Sequence, residues 1–333
     1  MTDLKRRSVC ASIALTLPVL AGALSVRAAG AAHINGVDDL PPSIVDDRGH
    51  TLILNHQPQR LATISYFGAD TGLALGIKPV ASTFLVRGRA PVYLCGHMND
   101  VRDLGQRASA NLELLASTRC DLIIAMRRYT EAHASRLERI APYLALDLET
   151  FNDSDRSIAL VGAALGKQRG AMQLNRRFAQ TLARYRAGVP RNATRPRYLF
   201  IWGTGTAPWA FYDENMTCSL LNAIGGVNAA GRNPMPARRE NTAFQISLET
   251  MLLADPQLIF VYDDGPAEAF ESNPVWQHLN AVRQARVVRV GDHWIESFGP
   301  IAREAVLAEA AHALYPRLFP PVDLCTLAGR FIS

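Results

Sequence analysis

Residues 154–188, SDRSIALVGAALGKQRGAMQLNRRFAQTLARYRAG, contain no proline and repeat apolar side chains at helical spacing: Ile158, Val161, Leu165, Met172, Leu174, Phe178, Leu182 and Tyr185. Pro190 and Pro196 end the pattern. A helical stretch of this length is far above the mean globular helix of about 11–12 residues. Gly162, Gly166 and Gly170 lower the local propensity, so a bend or break would fall near Gly166–Gly170.

On either side of this stretch, apolar runs alternate with helical patterns, which indicates parallel α/β units. Before it come a hairpin over Ile44–Leu54 turning at Asp47-Arg48-Gly49 and a strand at Arg60–Ser65. A helix from Gly68 to Leu75 closed by Gly76 follows, then a strand at Pro79–Thr83. Next are a helix at Asn111–Ser117, a buried strand at Asp121–Met126, a helix at Glu131–Ile140 and a strand at Tyr143–Asp147. Beyond it, strands are expected at Arg197–Trp202, Leu258–Tyr262 and Val287–Val290. Helices are expected around Ser219–Ala223, Ser247–Leu253, Val275–Leu279 and Ile301–Leu314. The fold class is therefore α/β: two α/β lobes joined by a single long helix, with a ligand cleft between the lobes. The alternative is one α/β enzyme domain carrying a long helix.

The first residues read as an export signal. Lys5, Arg6 and Arg7 precede an apolar run from Val9 to Leu24, and small residues follow at Val26, Ala28, Ala29, Ala31 and Ala32. The run is short for a membrane span of about 20 residues, although a retained anchor helix is the other reading. The Arg6-Arg7 pair leaves both the general and the twin-arginine route open. Cys10 precedes the apolar run, whereas a lipid-modified cysteine would follow it. The expected division is a signal peptide at 1–28, an N-terminal lobe at 29–152, an interlobe helix at 153–189 and a C-terminal lobe at 190–333.

The 333 residues are 48% hydrophobic and 20% charged, an ordinary globular balance. Loss of residues 1–28 removes Lys5, Arg6, Arg7 and Arg27 against Asp3, a net of +3, so the formal +5 falls to about +2. No block of basic residues follows the leader, which argues against a nucleic-acid partner. Cys95, Cys120, Cys218 and Cys325 could form up to two disulfides in an oxidising compartment, with Cys95–Cys120 the favoured pair. Neither zinc-ligand spacing nor a nucleophile elbow, P-loop or H-E-x-x-H is present, so no catalytic residue and no metal ligand is assigned. Gly203-Thr-Gly205 follows a strand as a dinucleotide loop would, but lacks the third glycine. It reads as a turn lining the cleft.

Several stretches resemble the periplasmic substrate-binding proteins of the iron-siderophore (ferric citrate and ferric hydroxamate) ABC importers, a bridging-helix type shared with haem and cobalamin binders. In the first lobe these are Arg60-Leu-Ala-Thr-Ile-Ser65, Leu73-Ala-Leu-Gly-Ile77 with Pro79-Val80, and Leu104-Gly105 ahead of Asn111-Leu-Glu-Leu-Leu115. Asp121-Leu-Ile-Ile124 and Arg139-Ile-Ala-Pro142 continue the match. In the second lobe they are Ser219-Leu-Leu-Asn222 with Gly225-Gly226, Ser247-Leu-Glu-Thr-Met-Leu-Leu253 with Asp255-Pro256, and Asn273-Pro-Val-Trp276 ahead of Val287–Val290. Each is weak alone; their order and spacing carry the likeness. The loop 232–241, with Arg238 and Arg239, departs from it.

The resemblance implies a monomeric solute-binding protein, not an enzyme, that captures a ferric siderophore and hands it to an inner-membrane permease and its ATPase. The chelator would hold the iron, so the protein would need no cofactor. What such a cleft needs is cationic and hydrogen-bonding groups for chelate oxygens, together with aromatic walls. The cleft of open α/β lobes lies at the carboxyl ends of the strands. Arg107 leads the candidates, because the resembled binders place an arginine there against ligand oxygens. Arg127, Arg128 and Tyr129 follow the Asp121–Met126 strand, but three adjacent side chains cannot all face one cleft. Tyr66 follows the first strand, and Arg87 with Arg89 lies in the loop after Pro79–Thr83. In the second lobe Trp209, Arg238, Arg239 and Trp294 are candidates, the last matching a family position that is often aromatic. So many arginines favour an anionic chelate such as ferric citrate over a neutral hydroxamate. A haem ligand, which would need an axial group such as Tyr66, Tyr129 or His97, is the alternative, as is cobalamin; a periplasmic enzyme is more remote. Glu131 and Glu249 resemble the acid on each lobe with which related binders meet the permease.

Overall fold

Two sheets are built around fully buried apolar strands, and a long helical stretch lies between them in the chain. The computed structural model describes residues 43–332 apart from Thr204, residues 239–241, Asp263 and residues 265–267. The expected leader at residues 1–28 and Arg239 lie outside the described residues.

The first lobe opens with a hairpin, β1 (Ile44–Val45) and β2 (Thr51–Leu52), with Gly49 at φ +79° in its turn. It continues through β3 (Leu61–Ile64), α1 (Tyr66–Ala74), β4 (Ala81–Ser82), β5 (Arg102–Asp103), α2 (Leu112–Ser117) and β6 (Leu122–Met126). Two short helices, α3 (Arg127–Thr130) and α4 (Ala134–Glu138), lead to β7 (Tyr143–Leu146). The strands form one parallel sheet in the order β5-β4-β3-β6-β7. Every residue of β3, β6 and β7 is buried, as unbroken apolar runs demand when both sheet faces are covered.

The second lobe comprises β8 (Arg197–Trp202), β9 (Trp209–Phe211), α7 (Met216–Ala223), β10 (Val227–Asn228), β11 (Ala243–Gln245), α8 (Leu248–Ala254) and β12 (Leu258–Tyr262). Then come α9 (Asn280–Arg283), β13 (Val287–Val290), α10 (Pro300–Leu314) and α11 (Leu324–Ala328). Its sheet runs β11-β9-β8-β12-β13, with β10 beside the start of β8. β8, β12, β13 and β10 are parallel, whereas β9 and β11 add an antiparallel edge that the sequence patterns did not predict.

Between the sheets the helical stretch is two helices, α5 (Phe151–Ala164) and α6 (Gln168–Gly188). The break falls at Gly166, whose φ of +64° is the left-handed conformation that glycine adopts without penalty. In one straight helix Phe151 and Phe178 would stand about 40 Å apart. Here their rings are 6.2 Å apart, and Asn175 Nδ2 donates to the Asp155 carbonyl at 2.8 Å, so α6 folds back along α5. Gly162 permits this closeness, since a Cβ there would lie 2.4 Å from that of Ala171. The 21-residue α6 remains the long helix between the lobes.

The lobes also touch directly. A continuous apolar core runs from Leu61, Leu122 and Leu144 through Ile158 and Phe178 to Tyr198, Phe260 and Trp294. The fully buried guanidinium of Arg303 on α10 donates to Ser154 Oγ (3.0 Å), Asp155 (2.6 Å) and Asn175 (2.9 Å), tying α10 to α5 and α6. Two helix N-termini are capped across the lobes. Asp70 of α1 accepts from the N–H groups of Ile301 and Ala302 (2.9 and 2.8 Å) at the start of α10. Glu296, just before α10, accepts from the N–H of Tyr66 at 2.7 Å at the start of α1. Gly299 is needed for this approach: a Cβ would meet the Asp70 carboxylate at 2.4 Å.

The disulfide differs from expectation. Cys95 pairs with Cys325, not with Cys120; Cys120 and Cys218 are buried free thiols. Cys120 instead packs into the apolar layer of the first sheet with Leu115, Ile123 and Leu137. The bond closes a chain separation of 230 residues and staples α11 to the first lobe.

Two outcomes are expected. The double variant Cys95→Ala/Cys325→Ala, or the reduced protein, loses about 2–4 kcal/mol of stability, read as a lower denaturant midpoint; an unchanged midpoint refutes the staple. Burial pushes the Asp70 carboxyl up to about 7 against the pull of the Ile301 and Ala302 N–H groups. Folded protein therefore holds a proton that the unfolded chain has released above its ordinary pKa of about 4. That contribution is fully present below pH 4 and lost as pH rises through 7. Thermal melts from pH 5 to 8 should show this fall, and Asp70→Asn should lessen it, leaving the share of Glu149, whose carboxyl burial also pushes up to about 7; an identical slope in the variant refutes the assignment.

Candidate ligand-binding cleft

A cavity of about 390 Å³ opens where the carboxyl ends of the two sheets face each other, the place at which open α/β folds bind ligands. The first lobe supplies Phe84, Leu85 and Arg87 after β4, Arg107 after β5, and Tyr129 on α3 after β6. The second supplies Trp202, the last residue of β8, Tyr262 and Asp264 at the end of β12, and Ile295 after β13.

Arg107 is the most constrained of these. Its Nη1 donates to Glu296 Oε1 at 2.5 Å, from one lobe to the other, and its guanidinium lies 4.6 Å above the Tyr129 ring. The side chain is only 14% exposed and Glu296 1%. Burial works against the guanidinium charge, but the Glu296 carboxylate together with the Tyr129 and Tyr262 hydroxyls raises the pKa. Nη1 also meets Met126 Sδ at 3.9 Å. Among the described residues no other acceptor takes the remaining N–H donors of Arg107, and a chelate oxygen could use them.

Behind the wall lies a second polar cluster. Asp292, 4% exposed, accepts from Tyr262 Oη (2.7 Å) and from Arg89 (3.0 Å), and at 3.5 Å from Tyr66 Oη. Burial, then the nearby Asp292 charge, pushes both tyrosines above their usual range, so both stay neutral donors.

The candidate residues divide accordingly. Arg107, Tyr129 and Arg87 line the cavity; Arg87 is exposed and has no ion-pair partner among the described residues. Arg127 and Arg128 turn away: Arg127 binds Asp147 through Nε at 2.6 Å and reaches Glu131, and Arg128 binds Glu149 at 2.6 Å. Of the three adjacent side chains, Tyr129 faces inward. Tyr66 is buried behind the wall, where its hydroxyl accepts from the Leu85 N–H at 2.9 Å. Trp294 is not a cleft residue: it is fully buried against Phe260 and Phe200, and its indole donates to Glu309 at 2.6 Å. Trp209 is 43% exposed and pairs with Trp202 across β9 and β8, but is not part of the cavity wall. Arg238 is exposed outside the cavity, and Arg239 is not described. Glu131 and Glu249 are both exposed, on α3's end and the first turn of α8.

Sequence reasoning missed Trp202, Tyr262, Asp264 and Glu296. The rule that placed Tyr129 beyond a strand's carboxyl end would also have found Trp202 and Tyr262, the last residues of two predicted strands. Glu296 had no such signal. Among the described residues no three His, Cys, Asp or Glu side chains stand together as a metal site.

The pattern of periplasmic binding proteins matches residues 62–293, which covers both lobes and the helices between them. The chain belongs to that family. Within it, the Fe(3+) dicitrate-binding periplasmic protein FecB of Escherichia coli is 26% identical over 80% of this chain and 88% of its own. The iron(3+)-hydroxamate-binding protein FhuD of the same organism is 25% identical over 71% and 81%. Among solved structures, Staphylococcus aureus SirA complexed with staphyloferrin B superposes with a TM-score of 0.67 at 23% identity, covering 82% of this chain and 98% of that one. This last likeness shows the shared two-lobed fold of the family.

The pairing pattern separates the arginines by role. Arg107→Ala should weaken ligand binding about 10–100-fold, the worth of a charged hydrogen bond of about 1.5–3 kcal/mol. Arg127→Ala and Arg128→Ala should stay within about threefold of the parent. Tryptophan-fluorescence titration measures all three, and equal losses would contradict the division.

Proposed function

We propose that this chain is the solute-binding component of an ABC importer, which captures a ferric siderophore in the periplasm and delivers it to an inner-membrane permease and its ATPase. One observation carries the reading: in a member of the periplasmic binding protein family, the interlobe cavity is walled by two arginines, Arg87 and Arg107, and four aromatic rings, Phe84, Tyr129, Trp202 and Tyr262. Ferric chelates present anionic oxygens around a broad, partly apolar body. Guanidinium forks suit the oxygens and flat rings suit the body. The relatives named for ferric dicitrate and ferric hydroxamate support the class of ligand.

The arginine count that favoured a carboxylate chelate such as ferric citrate over a hydroxamate loses its weight, since Arg127 and Arg128 are already paired and only Arg87 and Arg107 of the candidate arginines line the cavity. The iron comes held by its chelator, so no protein ligand to the metal is required. The interlobe caps, the shared core and α6 oppose a wide hinge motion, and binding would proceed with modest closure. Glu131 and Glu249, exposed on different lobes, suit docking to arginines of the permease subunits.

Purified mature protein titrated with ferric citrate, a ferric hydroxamate, a ferric catecholate and haem should show saturable submicromolar quenching with a ferric siderophore. Trp202 in the cavity wall is the reporter, and Trp202→Phe should lose most of the signal while calorimetry still detects binding. A Soret shift with haem alone would move the assignment to haem, with Tyr129 as the axial candidate. No response to any of them sinks the siderophore reading and leaves the family assignment standing.

A further inference from the structure

Charge in this cleft is balanced, although the sequence is rich in arginine. Around its rim Arg127, Arg128 and Arg89 are neutralised by Asp147, Glu149 and Asp292. Among the described residues, only Arg87 and Arg107 bring positive charge to the cavity wall. Two carboxylates stand against them. Asp264 lines the cavity, its Oδ2 accepting from Trp202 Nε1 at 3.3 Å and its buried Oδ1 having no partner among the described residues. Glu296 lies directly behind Arg107, 1% exposed and 2.5 Å from it. Formal charge at the site is therefore near zero.

Resting on the siderophore reading above, we propose that Glu296, with Asp264, sets the net charge of the ferric chelate that the cleft accepts, and that the preferred chelate carries little net negative charge. A low-dielectric cleft magnifies each fixed charge. Were Arg107 unopposed, the site would select the most anionic chelate available. Glu296 cancels that field while leaving the other Arg107 donors turned to a ligand oxygen. The arginine then acts as a directional donor more than as a source of attraction at a distance. Glu296 is a positioning residue in this scheme: its Oε1 holds the guanidinium, and its Oε2 holds the Tyr66 N–H, so the aim of Arg107 is fixed to the frame of both lobes.

The test compares the parent, Glu296→Gln and Asp264→Asn for binding of ferric citrate and of a neutral ferric hydroxamate, at low and at high salt. Circular dichroism and melting temperature check folding. Asp264→Asn is the safeguard, because it removes a cavity charge without touching the interlobe cap. In each folded variant the preference should shift toward citrate by about tenfold, equivalent to about 1.4 kcal/mol, and high salt should shrink the shift. If both affinities fall together with an unchanged ratio, the two carboxylates are structural only and the proposal is overturned. If the folded parent binds neither of these nor a ferric catecholate, the siderophore reading fails and takes the proposal with it; if it binds the catecholate alone, the proposal is overturned and the siderophore reading stands.

Discussion

The two lobes are fixed to each other by a reciprocal exchange of carboxylates. Asp70 on α1 satisfies the first N–H groups of α10, and Glu296 at the approach to α10 satisfies the first N–H group of α1. A helix N-terminus carries unpaired donors and a positive partial charge, so a buried acid there meets both needs. Each acid comes from the opposite lobe: α10 has no side-chain N-cap of its own, and α1 has Glu296 in addition to its own Ser65, whose Oγ accepts from the Gly68 N–H at 3.2 Å. Separating the lobes would break these bonds and expose two carboxylates and at least three N–H groups to water. Gly299 makes the exchange possible by leaving room for the Asp70 carboxylate.

Other contacts reinforce the same joint. Arg303 gathers α5, α6 and α10 around one guanidinium, and its burial lowers the pKa despite the adjacent Asp155. The Cys95–Cys325 bond ties the last helix to the first lobe. The cavity therefore sits between two walls whose spacing is set before a ligand arrives. Such a site gives up little conformational freedom on binding, which is the general advantage of preorganisation.

Much of the architecture was legible because it rests on local patterns. The apolar runs at Leu122–Met126, Arg197–Trp202 and Leu258–Tyr262 are buried strands at or near the expected limits. The glycine-marked break in the long helical stretch falls at Gly166, where a left-handed residue ends α5. What was not legible depends on distant partners. Strand β9 is three residues long and is defined by its pairing with β8 and β11, not by its own pattern. Cys325 meets Cys95 across 230 residues, and no spacing rule reports that. Trp294 lies beyond a strand end, as a cleft residue should, yet the chain turns it inward onto Phe260. Arginine count misled for the same reason: Arg127 and Arg128 look available until Asp147 and Glu149 are seen beside them.

The Arg107–Glu296 pair also poses a question of cost. Taking two charges out of water is expensive, and a buried ion pair of this kind is often no more stabilising than apolar residues of similar size. Stability alone therefore gives little reason for it. Position gives a better one. Arg107 stands on the cavity wall of one lobe and Glu296 behind it on the other, so the pair joins the two lobes at the edge of the proposed ligand site. A lone arginine on a loop would sample many rotamers and would lose that freedom on binding. Held by Glu296 and stacked on Tyr129, it presents its remaining donors in one direction. The desolvation is borne by the folded protein in advance, and binding an oxygen-rich ligand then requires less reorganisation at the moment of capture.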